Sequence, residues 1–426
     1  MHITELTRKK ICILGFGKEG QAMLRAIEKH CTDCTITVAD KNENIAVPEQ
    51  YAKQLGTGWL ENLEKFDVII KSPGIPPGPE LKAQNSKLTS STQIFLDSTK
   101  DTGAAAIGVT GSKGKSTTSS LIYAVLKAAG KDVHLVGNIG LPAIDHIGDA
   151  HAGVIFVLEM SSYQLMDLHT SPHIAVITSF FPEHLDYHGS LEAYMEAKKH
   201  ITRFQTPDDI VFYNKDSSGA TEIAGQSAGQ KIPFSRADAP LHINETRLLG
   251  DHNLSNIAGA CAVAKHLHIA DDITLAAIRH FEGLPHRLQF LGMHHGIEWV
   301  DDAISTTPES TMAALKALGN KVHTIILGGQ DRGYDFGDLG QMVADSMIAN
   351  VILFPETGSR IKRAIEDAHR IGISFYEAQD MPAAVEAAKA NTKPGKMCLL
   401  STASPSYNMF KNFEDKGEQF RQYIEQ

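Results

Sequence analysis

Short, fully apolar runs rich in β-branched residues recur along this chain and constrain its fold more than any other feature. "AAAIGVTG", "GVIFVLEM", "HIAVITSF", "KVHTIILGG" and "GKMCLLST" lack the alternation of a strand with one wet face. Such runs suit parallel strands covered on both faces by helices. The stretch "KICILGFGKEGQAMLRAIEKH" followed by "TITVAD" predicts strand, glycine turn, helix and strand, one βαβ unit. "FDVIIKSPGIPP", closed by a Ser-Pro-Gly turn, and "STQIFLD" predict later strands of the same sheet. A second series begins near Ala104 and includes "DVHLVGN"; a third begins near "GLPHR" and includes "GIEWVDD" and "ANVILFP". The pattern predicts an α/β protein of three domains, residues 1–100, 101–285 and 286–426.

A chain of 426 residues exceeds what one core usually supports, in keeping with that division. No apolar run is long enough to cross a bilayer, and "MHITELTRKK" does not lead into a signal-peptide core, so a cytoplasmic protein without membrane contact is expected. The five cysteines are odd in number and scattered; Cys31 and Cys34 form the only close pair, with no second pair to complete a metal site. A net charge of -10 argues against nucleic acid and leaves small molecules as the expected partners. Nothing points to an oligomer, and a monomer is the expectation.

Two glycine turns carry the chemistry. Gly15, Gly17 and Gly20 form G-x-G-x-x-G between a strand and a helix, and Asp40 ends the next strand where a ribose would be met. That pattern serves a dinucleotide oxidoreductase, any other phosphate-bearing ligand, or plain strand-to-helix packing. The second turn, "TGSKGKST", lacks the first glycine of the strict phosphate-loop pattern, since Val109 stands there. Its chemistry survives: Gly111 and Gly114 let backbone N–H groups converge on phosphate, Lys115 can reach the β and γ phosphates, and Ser116 or Thr117 can ligate Mg2+. The following helix ends before Gly130 and points its positive end at the loop. ATP binding is predicted. Glu159, at the mouth of a neighbouring apolar strand, is hard to justify as core and is a Mg2+ candidate. His184, Asp186 and His188 follow on a predicted loop, where Pro182 and Gly189 argue against a two-histidine zinc face on a helix. Lys198 and Lys199 lie in a helical stretch where the default is solvated charge.

The order "TGSKGKST", "GNIG", "EMSSYQL", "EHLDYHG", "AKKHI", "GDHNLSN" and "GLPHR" resembles that of the Mur ligases, over essentially the whole chain. The C-terminal "STASPSYNMFKNFEDKGEQF" is similar to the glutamate-adding branch of that family. The resemblance implies a Rossmann-like N-terminal domain for the UDP moiety, a central P-loop ATPase-like parallel-sheet domain for ATP, and a C-terminal Rossmann-like α/β domain for the amino acid. It implies an ATP-dependent ligase joining glutamate, D-glutamate by family pattern, to UDP-N-acetylmuramoyl-L-alanine through an acyl phosphate, in peptidoglycan synthesis. The UDP substrate would meet Gly15, Phe16, Gly17, Asp40, Ser72, Pro73, Gly74 and Asn138. ATP would meet Gly111, Ser112, Lys113, Gly114, Lys115, Ser116 and Thr117, with Asn253 and Asn256 near the adenine and Arg287 and Asp302 closing over the nucleotide. Catalysis would rest on Lys115, Glu159, His184 and Lys198, with Lys198 carbamylated and two Mg2+ ions held by Ser116, Glu159, His184 and that carbamate.

The third domain departs from the family pattern. Where relatives carry Ser-Lys-Ala-Thr-Asn, this chain has Ala303, Ile304, Ser305, Thr306 and Thr307, so Thr306 matches and the lysine is lost. Arg332 replaces a carboxylate-holding lysine; Ser406 and Phe413 match positions for the other carboxylate, flanked by Pro405 and Tyr407. The "STTPES" run is also similar to a branch that uses L-glutamate, so either enantiomer fits the sequence.

Overall fold

The computed structural model describes residues 1–76, 78–369 and 371–426. The chain forms two compact units: Met1–Pro240 with Leu254–Ile278, and Leu241–Asn253 with Arg279–Gln426. The first unit carries two sheets and the second carries one. The segment Leu241–Asn253 thus belongs with the C-terminal residues, ahead of the boundary expected near residue 285.

The first sheet is parallel, in spatial order Ala52–Leu55, Thr35–Asp40, Lys10–Leu14, Val68–Lys71, Leu88–Thr89. Its strand order reverses between Lys10–Leu14 and Val68–Lys71, and a ligand crevice is expected beyond the strand ends at such a reversal. The second sheet, also parallel, runs Gln230–Phe234, Ile210–Asn214, Ile174–Ile177, Ala105–Thr110, Ile155–Glu159, Val133–Gly137. Ala105–Thr110 and Ile155–Glu159 are parallel neighbours, so the chain after Thr110 and the carboxylate of Glu159 emerge side by side at the C-terminal ends of the strands. The third sheet runs Gln289–His294, Ile297–Asp301, Met397–Leu400, Val322–Gly329, Asn350–Glu356, Ser374–Glu377; only the first pair is antiparallel. The runs "VIIK", "IFVLE", "IAVI" and "MCLL" are buried at every position, as their lack of alternation requires.

One expected strand is a helix. "STQIFLD" lies in the α-helix Ser91–Thr99, where Ser90 accepts a hydrogen bond from Gln93 N as N-cap and all but one residue is buried. Its only apolar run is Ile94, Phe95 and Leu96, too short for periodicity to tell a buried helix from a buried strand. Phe95 meets Phe156 of the second sheet edge-on at 5.1 Å, and Gln93 uses both ends of its amide on His169 N and Thr170. The first two sheets are joined through such contacts, including the buried Lys71 paired with Asp167 at 2.8 Å. Three polar edge strands, Ala52–Leu55, Gln230–Phe234 and Ser374–Glu377, carry no apolar run that would announce them.

Candidate active site

The phosphate loop leaves the strand Ala105–Thr110 and enters the helix Lys115–Ala128, with Gly114 as a left-handed N-cap at φ 87°. No side chain fits at two of its positions. A Cβ on Gly111 would lie 2.0 Å from Thr178 Oγ1, and one on Gly114 would lie 2.4 Å from Asn256 Oδ1. The loop is locked from the adjacent strand end. Ser112 N donates to Ser179 O and Lys113 N to Ser179 Oγ, both at 2.9 Å, while Thr178 Oγ1 donates to Lys113 O at 2.6 Å. Ser112 Oγ donates to Phe181 O at 2.9 Å, and Lys113, exposed, pairs with Glu183. Ser116 and Thr117 occupy the first turn of the helix, and Lys115 Nζ folds back on the carbonyls of Gly111 and Ser112 at 2.8 and 2.9 Å.

Lys198 is not a solvated charge. It is 1 % exposed, donates to Gly111 O at 3.0 Å and lies 4.9 Å above the Tyr194 ring. Burial first, then the nearby Lys115 ammonium, push its pKa well below the ordinary lysine value, which favours a neutral nucleophilic amine. Lys199, one residue on, faces outward onto Glu196 and Glu222.

Glu159 is 1 % exposed; its Oε1 accepts from Asn138 Nδ2 at 2.7 Å, and its Oε2 has no hydrogen-bond partner. A buried carboxylate oxygen left so is costly unless a ligand completes it. A hard divalent cation fits that donor, with Ser116 an oxygen donor of the matching kind. Asn138 is held in turn by its own N–H on Glu159 O at 2.9 Å.

The histidine segment differs from the expected loop. Leu185–His188 form one helical turn, capped by His184 at φ 56°, and glycine follows at 189. His188 stacks on Tyr163 with ring planes 2° apart and bonds Ser162 through Nε2, whereas His184 tilts against Tyr163 and Tyr194. Burial is the leading cause that lowers the pKa of both, favouring neutral imidazoles. Tyr187 from this turn donates toward the carbonyls of Pro73 and Ile75, tying it to the Ser-Pro-Gly turn of the first sheet. Tyr187 and Lys71 escaped the sequence reading because their partners are distant in sequence.

At the first glycine turn, Gly15 (φ 87°) receives a hydrogen bond from Ser72 Oγ at 2.8 Å, and a Cβ on Gly20 would lie 2.1 Å from Gly15 O. Gly17 differs: nothing lies within 4 Å of where its Cβ would be. Asp40 accepts from Phe16 N at 2.7 Å and from Asn42 N at 2.8 Å, so its carboxylate fixes the turn. Gly74, after Pro73, is exposed and has the same open space.

On the helix Asn253–His266, Asn256 is buried and accepts from Thr118 Oγ1 at 3.2 Å, and Asn253 donates to Leu249 O at 2.9 Å. In the second unit, Asp302 is 2 % exposed and takes hydrogen bonds from Leu288 N and Ser401 Oγ. Burial pushes its pKa up to about 6. Arg287 is exposed between His286 and Leu288, both at positive φ. A pocket of about 220 Å³ brings together Thr306, Ser406 and Phe413 with Ile304, Pro405 and Tyr407. Arg332 is not in its wall; it is exposed and bonds Gln330. Lys416, also missed in the sequence, is fully buried and donates to Thr402 Oγ1 at 2.7 Å, its pKa lowered to about 7 by burial.

The Mur ligase middle domain model matches residues 109–244, and the Mur ligase, glutamate ligase domain model matches residues 286–404. The chain is 34% identical to the UDP-N-acetylmuramoylalanine-D-glutamate ligase of Streptococcus sanguinis, covering 98% of this chain and 97% of the relative. The chain belongs to the Mur ligase family. Enzymes of the same name from Symbiobacterium thermophilum and Streptococcus pyogenes are 32% and 36% identical, over 98% of this chain and 98% and 97% of theirs. Among solved Mur ligases, MurC from Thermotoga maritima aligns at TM-score 0.59 and 18% identity over 98% of each chain. A MurF structure from Acinetobacter baumannii aligns at TM-score 0.62 and 15% identity over 97% of this chain and 91% of that one. The shared three-domain α/β fold of Mur ligases holds here, and membership removes the oxidoreductase reading of the first glycine turn.

Proposed function

We propose that this Mur ligase joins D-glutamate to the alanyl carboxylate of UDP-N-acetylmuramoyl-L-alanine at the expense of ATP, in peptidoglycan synthesis. The observation that carries the reading is the unpartnered Glu159 oxygen, on a strand next to the phosphate-loop strand, in a chain collinear with ligases of that name. Residues 1–100 would receive the UDP moiety, 101–285 ATP and 286–426 the amino acid. The protein would act in the cytoplasm as a monomer.

Mur ligases use ATP and Mg2+. Two ions would be held by Ser116, Glu159, His184 and Lys198 in its carbamylated form; when bound, they supply positive charge that screens carboxylate from phosphate. Lys198 suits carbamylation because its buried amine is biased toward the neutral form, which adds CO2 with loss of one proton. Asn138 fixes the Glu159 carboxylate through Oε1, so its second oxygen keeps one direction. Lys115 adds charge where the γ-phosphate is transferred. The alanyl carboxylate oxygen bonds to the γ-phosphorus as the bond to ADP breaks, giving an acyl phosphate. The neutral glutamate amine attacks the carbonyl carbon, loses a proton, and phosphate leaves as the amide forms. The pocket of Thr306, Ser406 and Phe413 would hold one glutamate carboxylate, and Arg332 the other; Asn253, Asn256, Arg287 and Asp302 would hold the nucleotide.

The deciding assay is phosphate release with ATP and UDP-N-acetylmuramoyl-L-alanine, comparing D-glutamate, L-glutamate and no amino acid, with product mass as readout. Amide formation with D-glutamate is expected. Preference for L-glutamate would assign Ile304, in the pocket wall, to stereochemical choice, and no amide with either isomer would overturn the acceptor chemistry.

A further inference from the structure

Two imidazoles and a carboxylate converge at the far edge of the central sheet, away from the phosphate loop. His134 is the second residue of the edge strand Val133–Gly137, and His146 and Asp149 lie on the 3-10 helix Ala143–Asp149. One candidate ligand atom from each lies within 4.8 Å of the other two, the only such set among the described residues. The His134 and His146 ring centroids are 4.9 Å apart, and His146 Nδ1 is 2.8 Å from Asp149 Oδ2.

Neighbouring groups pack around the two rings. Phe156 stacks on His134 at 5.4 Å, and the Asp132 carboxylate lies 3.6 Å from its Nε2 while engaging His151 at 3.2 Å. The 3-10 helix is anchored by Ala143, Ile144 and Ile147 in the core. Both imidazoles line a cavity of about 430 Å³, so these two donors face reachable space.

Two histidines and one carboxylate are a known three-protein-ligand donor set for zinc, and imidazole donors favour it over Mg2+. Bonds of about 2.0–2.1 Å in a tetrahedron place ligand atoms about 3.4 Å apart, so separations of up to 4.8 Å must close by up to about 1.4 Å, while His146 Nδ1 and Asp149 Oδ2, 2.8 Å apart, would exchange their hydrogen bond for the metal. Asp149, half exposed, has room to do so. Lys127 and Lys131 share the cavity wall and would face an anion in the fourth position. We propose that His134, His146 and Asp149 form a binding site for zinc or a similar divalent transition metal, distinct from the Mg2+ positions at Glu159. His134 and Asn138 are four residues apart along one chain, roughly 13 Å for extended strand, so the ion would pin the strand that leads to Asn138, the hydrogen-bond partner of Glu159, without touching substrate.

The test uses the purified full chain with zinc chloride alone, followed by dialysis and metal analysis, with Co2+ absorption as a check on tetrahedral ligation. The wild type and Glu159→Gln are expected to hold one zinc per chain and to melt at higher temperature with it. The double variant His134→Gln/His146→Gln should lose both effects while keeping Mg2+-dependent turnover. Asp149→Asn, a change at an exposed residue, should weaken zinc binding about tenfold and guards against misfolding of the double variant. Zinc retained by the double variant and by Asp149→Asn, zinc lost only in Glu159→Gln, or no zinc on the wild type would each overturn the proposal.

Discussion

Replacing Gly17 by alanine separates what the first glycine turn does for the fold from what it does for a ligand. Gly17 is the N-cap of the helix Lys18–His30 at φ -72° and ψ -162°, a conformation open to any residue. With nothing within 4 Å of the added Cβ, there is no steric cost. Loss of unfolded-state freedom favours alanine by about 0.4–1 kcal/mol, and alanine is the poorer N-cap by a similar amount, so net stability should change by less than about 0.5 kcal/mol. Binding should not be neutral. If that turn receives the UDP diphosphate as proposed, a methyl group above it would hold the diphosphate off the backbone, and loss of one hydrogen bond to a charged group costs about 1.5–3 kcal/mol. That corresponds to a rise of about 10- to 150-fold in KM for UDP-N-acetylmuramoyl-L-alanine. KM for ATP and D-glutamate should stay within about twofold. Gly20→Ala is the contrast, because its Cβ would stand 2.1 Å from Gly15 O; it should cost about 1–3 kcal/mol of stability. Phosphate-release kinetics and thermal unfolding on the same preparations provide the assay. An unchanged KM for the UDP substrate in a normally stable Gly17→Ala protein would refute the assignment of that open space to the diphosphate.

Glu159→Gln should fold, lose Mg2+-dependent stabilisation by ATP in a melting experiment, and lower kcat by more than about 100-fold; retention of both properties would contradict the metal assignment. Lys198→Met should lower turnover by a similar factor, and 13C-bicarbonate should give a carbamate signal in the wild type that the variant lacks; the same signal in both would place any carbamate elsewhere. Asp302 is protonated more readily in the folded state than in the unfolded chain, so the folded state binds the extra proton between pH 3.8 and about 6, and stability falls as pH rises through that window. The shift corresponds to about 3 kcal/mol. In urea unfolding, Asp302→Asn should therefore gain on the wild type by up to that amount between pH 4 and 7, and a pH-independent difference would refute it.

Much of the fold was legible because strands buried on both faces must be largely apolar, as "IAVI", "MCLL" and, up to its terminal Glu159, "IFVLE" are. "STQIFLD" was misassigned because its three consecutive apolar residues, Ile94, Phe95 and Leu96, fit a buried helix as well as a buried strand. Gly15, Gly20, Gly111 and Gly114 were legible because backbone angle or close approach excludes a side chain there, whereas sequence did not show that Gly17 has room for one. Spacing alone left Lys198 as a surface charge, and only the packing of its helix carries the amine into the core beside Gly111 and Tyr194. Sequence by itself determined the α/β layering, the phosphate loop and the family to which the chain belongs, because these rest on local backbone demands and on periodic burial. Tertiary structure alone decided that Glu159 keeps one oxygen without a partner, that Tyr187 ties the histidine turn to the first sheet, and that Thr306, Ser406 and Phe413 share one pocket while Arg332 lies outside it. Each of these depends on atoms far apart in the chain, whose distances no local pattern encodes.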